Sequence, residues 1–439
     1  MTHRTRRASP GLLALLLAIG TPSALAVTAT SAAAAGTCHV TNTSTNAGFS
    51  NLQTAIGKAK PGRTLRITGT CVGRFTVTKP LTLRSGAGAA VLKGNGATVL
   101  TTSGNPVMLI GLRITGGTAS VCPREPDWVC GGGIANTGVL YLTDTSVSGN
   151  TAAGGTTRSS LGGGIYNDEV GVLTLTRSTV SGNTATSGFN EADGAGIDNE
   201  GVLHLLQSTV SGNRATGAAA SYGGGIFDYL DTTLEIAAST ISGNSADAPG
   251  NASGGGLDME TGAVTVTDST ITGNSVSGGG DRGRGGGIRA GSGTLTVIAS
   301  TIADNQVTAP FGMGGGLYTD GTPLVASTII AGNASDTGRD CTMNDPASSL
   351  GDNIIGSGAS CLGFQNGVND DQVGTNNAPV DPKLGPLADN GGPTRTRALK
   401  PGSPAIDSGA PTMCATRRDQ RGVKRPKGNA CDIGAFERG

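Results

Sequence analysis

Residues 131 to 333 repeat one pattern of apolar and polar positions. Each unit opens with a glycine triplet and Ile or Leu, continues with apolar residues at alternate positions, and closes with Ser-Thr-Val/Ile and an asparagine. The alternation in Leu203/Leu205 or Leu234/Ile236 is the two-residue period of a half-buried strand, and no stretch has a helical period. The pattern therefore predicts short strands joined by glycine-containing turns.

The unit occurs seven times at an almost constant length. The residues that follow the triplets are Ile134, Ile165, Ile197 (after Gly-Ala-Gly), Ile226, Leu257, Ile288 and Leu317. Short strands that repeat without crossover helices can bury their inner faces only by coiling on top of one another. We therefore predict an all-β fold: a right-handed, single-stranded parallel β-helix, or solenoid, with a short N-terminal capping helix and an irregular, disulfide-braced C-terminal tail.

The closing asparagines form a column in such a solenoid, because turns stacked at about 4.8 Å place each residue above its equivalent in the next turn. They are Asn150, Asn183, Asn213, Asn244, Asn274, Asn305 and Asn333. Stacked amides can hydrogen-bond to one another at a buried corner, so we predict a structural role for them. The glycine triplets are interpreted as sharp bends, since no helix and no phosphate-binding lysine follows them.

The chain is predicted to divide into four parts. Residues 1–26 have the features of a secretory signal peptide: three arginines, the apolar run Leu12 to Ile19, and Ala24-Leu25-Ala26 as a cleavage site, with an alternative site in Ala32 to Ala35. Residues 27–61 are expected to hold the capping helix, opened by the capping box Ser50-Asn51-Leu52-Gln53. The β-helix is expected over 62–375, and a C-terminal region over 376–439.

The composition of the chain limits where the protein is expected to act and which partners it is expected to bind. Without the three arginines of the signal peptide, 28 basic residues face 31 acidic ones, a net charge of −3 that argues against a nucleic-acid partner. No later stretch approaches the ~20 apolar residues of a membrane-spanning helix. Eight cysteines in an exported chain predict disulfides between sequence neighbours: Cys38–Cys71, Cys122–Cys130, Cys341–Cys361 and Cys414–Cys431. We expect a secreted protein, with association with the cell wall as one option.

Two outward columns of side chains give the candidate binding surface. The first, directly after the triplet Ile or Leu, holds Ala135, Tyr166, Asp198, Phe227, Asp258, Arg289 and Tyr318, and the second, two positions on, holds Thr137, Asp168, Glu200, Tyr229, Glu260, Gly291 and Asp320. Aromatic rings stack on sugars and carboxylates hydrogen-bond to hydroxyls, so a glycan chain is the expected ligand of this exposed stripe. Tyr166, Asp198, Phe227, Asp258, Arg289 and Tyr318 are its predicted binding residues.

Catalysis has weaker candidates. Asp168 and Glu200 on adjacent turns have the spacing of a retaining carboxylate pair, and Asp258 with Arg289 is the nearest approach to a lyase acid and base. Asp198 lies in the same column, and His204 is expected above Glu235 on the next strand. Acids on an exposed strand face usually serve solvation. The pattern contains no metal motif and implies no cofactor. We expect Asp198→Ala and Asp258→Ala to leave stability nearly unchanged.

The Gly-Gly-Gly-Ile/Leu units resemble the repeats of polymorphic outer-membrane proteins and of the wider pectate-lyase-like β-helix superfamily. The tail is similar to the choice-of-anchor Q domain, through Asp381-Pro382-Lys383-Leu384-Gly385-Pro386-Leu387, Asn390-Gly391-Gly392-Pro393-Thr394, Ser403-Pro404-Ala405-Ile406-Asp407-Ser408-Gly409, Asp419-Gln420-Arg421-Gly422 and Cys431-Asp432-Ile433-Gly434-Ala435-Phe436-Glu437. The second resemblance implies a surface or secreted β-helix protein of unassigned activity.

These observations favour a secreted or cell-surface protein with a non-catalytic binding or adhesion role. Segments of variable composition between each asparagine and the next triplet, such as Thr184 to Asp193 and Ser275 to Arg284, are interpreted as recognition loops along one edge. Extracellular polysaccharide and a surface protein are the candidate partners. The alternative is a polysaccharide lyase or glycoside hydrolase of the pectate-lyase-like superfamily.

Overall fold

A computed structural model describes residues 36–122, 125–278, 282–410 and 414–438. The predicted signal peptide and the alternative cleavage site lie outside these residues. From residue 36 onward the chain winds into a right-handed parallel β-helix with about seven regular turns, which confirms the predicted fold class. Successive turns pair in register: Ile197 lies beside Ile226, and Ile226 beside Leu257.

Two sheets enclose the core of the solenoid. Sheet I consists of His39–Asn42, Gly48–Phe49, Arg63–Thr68, Phe75–Val77, Leu81–Ser85, Leu100–Ile110, Ile134–Thr143, Ile165–Asn167, Val172–Thr176, Ile197–Asn199, Val202–Leu206, Ile226–Asp228, Thr233–Ala237, Leu257–Met259, Ala263–Thr267, Ile288–Ala290, Thr294–Ile298, Leu317–Thr319, Leu324–Ala326, Cys341–Met343 and Ser348–Ser349. Sheet II consists of Thr70–Val72, Ala90–Lys93, Leu112–Thr115, Ser146–Ser148, Thr179–Ser181, Thr209–Ser211, Thr240–Ser242, Thr270–Thr272, Thr301–Ala303, Ile329–Ala331, Ile354–Ile355 and Gln372–Val373. The inward residues of both sheets form one continuous apolar core.

The segments that the sequence analysis interpreted as variable loops are ordered strands, so that interpretation is wrong. Sheet III consists of Thr151–Gly155, Thr184–Ser187, Arg214–Gly217, Ser245–Asp247, Ser275–Ser277 and Gln306–Val307. Sheet IV consists of Ser120–Val121, Trp128–Cys130, Ser159–Leu161, Glu191–Asp193, Ala220–Tyr222, Asn251–Ser253 and Arg282–Arg284. The two sheets pack on each other through small residues such as Ala185, Ala192 and Ala215, and we call this pair of sheets the wing.

The asparagine column is a buried hydrogen-bonded ladder. The backbone amide and Nδ2 of Asn213 both donate to Oδ1 of Asn244, at 3.0 and 2.9 Å, and Nδ2 also donates to the carbonyl of Val180. The same pattern recurs along the column and ends at Asn333, which donates to Oδ1 of Asp340 at 2.9 Å. Each amide therefore satisfies the polar groups of its own corner and of the turn before it.

A second ladder, which the sequence analysis did not identify, runs beneath sheet I. Nδ2 of Asn136 donates to Asn167, Asn167 donates to Asn199, and Asn199 donates to Oδ1 of Asp228, at 2.7, 2.7 and 2.6 Å. Oδ2 of Asp228 accepts a hydrogen bond from the Thr232 hydroxyl at 2.7 Å. Burial raises the pKa of Asp228 from its ordinary 3.8 to about 7, against the lowering effect of these two hydrogen bonds.

The glycine triplets fold the wing back onto sheet I. Gly223 has φ = 64°, in the left-handed region that favours glycine, and a Cβ there would lie 2.3 Å from the Ile226 carbonyl oxygen. Gly225 packs against the asparagine ladder, where a Cβ would lie 2.9 Å from Nδ2 of Asn244. The triplet thus combines a sharp bend, as predicted, with close contact to the ladder.

A helix covers the N-terminal end of the described solenoid. Helix Leu52–Lys58 buries Leu52, Ala55 and Ile56 over the first turn, as predicted, but its N-cap is Asn51 and not Ser50. Oδ1 of Asn51 accepts a hydrogen bond from the Thr54 amide at 2.9 Å.

All eight cysteines are in disulfides, Cys38–Cys71, Cys122–Cys130, Cys341–Cys361 and Cys414–Cys431. No helix in the described part of the chain is long and apolar enough to cross a membrane.

The C-terminal tail docks along the outer face of sheet II. It contains one hairpin, Leu384–Ala388 and Thr396–Leu399, and buries Gln420 against Thr240 and Thr270. The amide of Ala435 donates to the Thr301 hydroxyl at 3.0 Å. Within the tail, Arg421 forms an ion pair with Asp419 at 2.7 Å.

We predict that Asn213→Ala lowers the free energy of unfolding by about 2–4 kcal/mol, because it leaves buried donors of Asn183 and the Val180 carbonyl without partners. Thr209→Ala, on the half-buried outer face of the same turn, serves as control and should cost no more than ~1 kcal/mol. Denaturant titration measures both values. Equal losses would contradict the role assigned to the ladder.

A second prediction concerns pH. Since the pKa of Asp228 is raised to about 7 in the folded protein, the folded state binds this proton more tightly than the unfolded chain, and stability falls as pH rises from about 4 to 7. Asp228→Asn should remove this fall, so its melting temperature will exceed that of the wild type near pH 8 by more than near pH 5. Asp144→Asn is the control, because Arg177 lowers the pKa of exposed Asp144 and its effect belongs to more acidic pH. A difference in melting temperature independent of pH would refute the prediction.

Candidate functional site

The first predicted column does not lie on an exposed strand face. Tyr166, Asp198, Phe227, Asp258 and Tyr318 are all buried, with Asp198, Phe227 and Asp258 fully so. Sheet IV covers them, because each glycine triplet reverses the direction of the chain. The residue immediately before the triplet then contacts the residue five positions later, which is the one that follows the Ile or Leu. The expectation of an exposed stripe is therefore wrong: these side chains are packed between sheet IV and the outer face of sheet I, and we call this region, which opens at its rim, the cleft.

Contacts across the cleft pair the residues on either side of each triplet. The Tyr222 ring lies 5.9 Å from the Phe227 ring, between centroids, and the Ser253 hydroxyl hydrogen-bonds to Oδ2 of Asp258. Leu161 and Tyr166 share one small apolar cluster. Sequence analysis missed the sheet IV partners, although their signal is present: the residue immediately before each triplet faces the residue immediately after its Ile or Leu.

An aromatic row occupies the middle of the cleft. Phe227 stacks on Tyr222 and on Tyr229, with centroid distances of 5.9 and 5.8 Å and interplanar angles of 28° and 27°. Phe227 is buried, whereas Tyr222 and Tyr229 are half-buried. The row therefore presents two partly accessible rings on a rigid apolar support.

Charged residues follow the aromatic row. Arg289 lies 3.1 Å from Oδ1 of Asp258 and 3.6 Å from Oδ2 of Asp320, with 17% of its side chain exposed. Burial opposes its charge, but Asp258, Asp320 and Glu260 outweigh that effect and raise the pKa of Arg289 above its ordinary value. The predicted neighbours Asp258 and Arg289 are thus a closed ion pair, and Arg289 is held protonated.

Tyrosine hydroxyls bind carboxylates at both ends of the column. Tyr318 donates to Oδ1 of Asp320 at 2.8 Å and carries the Arg284 guanidinium 4.9 Å above its ring centroid. Tyr166 donates to Oε2 of Glu200 at 2.9 Å. Burial, followed by the charges of Glu200, Asp198 and Asp168, raises the pKa of Tyr166 far above its ordinary value.

The Tyr166 end of the cleft is rich in acids. Asp168 and Glu200 lie on adjacent turns, because Tyr166 pairs with Asp198 in the strand register, and Asp168 is buried while Glu200 is half-buried. Sheet IV adds Glu191 and Asp193, both buried. Among the described residues, no group of three or more His, Cys, Asp or Glu side chains is arranged to hold a metal ion.

A cavity of about 220 Å³ opens beside the aromatic row. Its lining comes from sheet IV, from the sheet I strand Ile288–Ala290 and from the residue after the sheet I strand Leu257–Met259: Tyr222, Asn251, Ala252, Ser253, Glu260, Arg282, Arg284 and Arg289. Of these, only Arg289 belongs to the predicted binding residues. Asp258 and Phe227 support the cavity from behind through Ser253 and Tyr222.

His204 and Glu235 form a separate pair outside the cleft. They face each other in the strand register, and Nδ1 of His204 lies 2.9 Å from Oε2 of Glu235. Their side chains are 33% and 48% exposed on the open part of sheet I. The predicted juxtaposition is confirmed, on an exposed surface.

The fold and the cleft define the chain as a parallel β-helix protein whose outer sheet face is partly roofed by a wing. No protein-family model matches the chain, and no curated protein matches it. Among solved structures, it is similar to the one titled "Crystal structure of pectate lyase Pel9A", with a TM-score of 0.43 and 15% sequence identity, over 88% of this chain and 91% of that chain.

We predict that Arg289→Leu destabilises the protein by about 3 kcal/mol, because it leaves the Asp258 carboxylate buried without its cation. Asp258→Ala is expected to destabilise as well, in contrast to the expectation from sequence. The control is Arg177→Leu, which breaks the exposed pair with Asp144 and should cost ~1 kcal/mol or less. Denaturant titration of Arg289→Leu and Arg177→Leu checks this prediction, and equal losses in the free energy of unfolding would contradict it.

Proposed function

We propose that this chain is an extracellular, non-catalytic carbohydrate-binding protein and that the cleft beneath the wing is its binding surface. The observation that carries the proposal is the cavity beside Tyr222, where an aromatic ring, an amide and charged hydrogen-bonding groups converge. Sites for small ligands combine an apolar or aromatic wall with a few placed polar groups. Aromatic faces pack on sugar rings, and carboxylates and guanidinium groups bind sugar hydroxyls.

An extracellular location is supported by the disulfides. The chain uses all its cysteines in four bridges, which persist in oxidising compartments and are rare in the cytosol. The predicted signal peptide agrees with this location. The choice-of-anchor Q resemblance of residues 376–439 remains a prediction, and it agrees with a surface or secreted role.

The electrostatics of the cleft support binding over catalysis. A lyase needs a base that can release its proton, but Arg289 is held protonated by Asp258 and Asp320. Asp258 is fully buried and already bound by Arg289 and Ser253. The alternative, a lyase or hydrolase, would have to use the acids at the Tyr166 end, where Asp168 and Glu200 lie on adjacent turns.

We predict that the purified protein is retained on at least one polysaccharide of a panel and releases neither reducing nor unsaturated ends from it. Tyr229→Ala should weaken retention several-fold, since aromatic contacts contribute about 0.5–1.5 kcal/mol. Tyr141→Ala, on the exposed outer face of an earlier turn, is the control and should retain full affinity. Affinity electrophoresis measures retention, and a reducing-end assay measures turnover.

Two results would contradict the proposal. Release of chain ends that is abolished by Asp168→Asn or Glu200→Gln would establish the enzyme alternative. Absence of retention on every polysaccharide would instead direct attention to a surface protein as partner.

A further inference from the structure

We infer that the cavity beside Tyr222 is a subsite for one neutral sugar residue, not for an acidic one. This inference rests on the proposed carbohydrate-binding function and adds the chemical class of the ligand. It follows from the size of the cavity, the balance of its charges and the groups at its rim.

The size of the cavity limits the ligand. Pockets for drug-sized molecules measure roughly 300–1,000 Å³, whereas this cavity measures about 220 Å³. Its walls are fixed, because Tyr222 is stacked on buried Phe227 and Ser253 is bound to buried Asp258. A rigid space of this size suits a single sugar ring of a longer chain.

The charges around the cavity are balanced. Its three arginines, Arg282, Arg284 and Arg289, are accompanied by three carboxylates among the described residues, Glu260 in the lining and Asp258 and Asp320 behind Arg289. Binding of a uronic acid or a sulfated sugar would need an excess of positive charge in the cavity. Arg289 does not supply it, because it already forms ion pairs with two aspartates. The equal number of positive and negative groups keeps the net charge around the cavity near zero among the described residues, and its polar groups are then suited to the donors and acceptors of sugar hydroxyls.

The rim provides the remaining contacts. Tyr222 is half-buried and forms one wall, while Asn251 and Arg282 are exposed at the opening. A tyrosine ring packs against the apolar face of a neutral pyranose, and the Asn251 amide can both donate to and accept from hydroxyls. Because these three residues lie on neighbouring strands of sheet IV, one sugar ring can contact them together.

The test compares neutral and uronic-acid oligosaccharides of equal length by isothermal titration calorimetry on the full-length mature protein. We expect neutral oligosaccharides to bind, with an affinity that changes less than about two-fold between low and high salt, since no ion pair forms with the ligand. Tyr222→Ala and Asn251→Ala should each weaken binding about five-fold or more. Phe189→Ala, an exposed aromatic residue of the wing outside the cavity, is the control and should bind as the wild type does.

Tyr222→Ala could weaken binding by disturbing the fold, because Tyr222 packs on buried Phe227. Asn251 is exposed, so Asn251→Ala tests the subsite without this effect. Salt-sensitive binding of uronic-acid oligosaccharides alone would overturn the inference and leave the proposed function intact. Neutral binding that neither variant weakens would overturn the placement of the subsite. Failure of every oligosaccharide to bind would overturn the proposed function together with the inference.

Discussion

Parallel stacking of the turns at about 4.8 Å places each buried polar side chain beside its equivalent in the next turn, which can therefore serve as its hydrogen-bond partner. The Asn150–Asn333 ladder meets this constraint with side chains that donate and accept at once. Each ladder ends on a carboxyl oxygen that accepts the last amide hydrogen bond, Oδ1 of Asp340 in one and Oδ1 of Asp228 in the other. The ladders also hold the glycine triplets in place, since the third glycine packs directly on the asparagine amide.

The cleft is a consequence of the turn that the glycine triplet forms. A turn without side chains lets the chain reverse so tightly that the residue before the triplet lands on the outer face of sheet I, as Tyr222 does on Phe227. Repetition extends each contact into a row, so aromatic, acidic and basic residues from several turns line one groove. The solenoid therefore builds its site from neighbouring turns and not from distant loops.

The features that depend on the repeat length could be predicted from the sequence. The columns, their register and the neighbours His204–Glu235 and Asp258–Arg289 follow from counting residues per turn. It failed where burial depends on what covers a strand: segments such as Thr184–Ser187 and Glu191–Asp193 have irregular composition, so nothing marked them as strands of a covering wing. Asp198 and Asp258 were consequently expected in solvent, and the lining residues Asn251 and Arg282 were not considered.

The position of the tail bears on which face of the solenoid is used. Three hydroxyls of sheet II hydrogen-bond to the tail: Thr240 donates to the Arg395 carbonyl, Thr270 donates to the Gln420 side-chain oxygen, and Thr301 accepts from the Ala435 amide. The tail thereby occupies the side of the central turns that carries no wing, while the cleft of the same turns keeps exposed polar groups at Asn251 and Arg282. Since the tail also ties these turns together, it stiffens the scaffold behind the cleft, and a preorganised cleft loses less entropy when it binds a ligand.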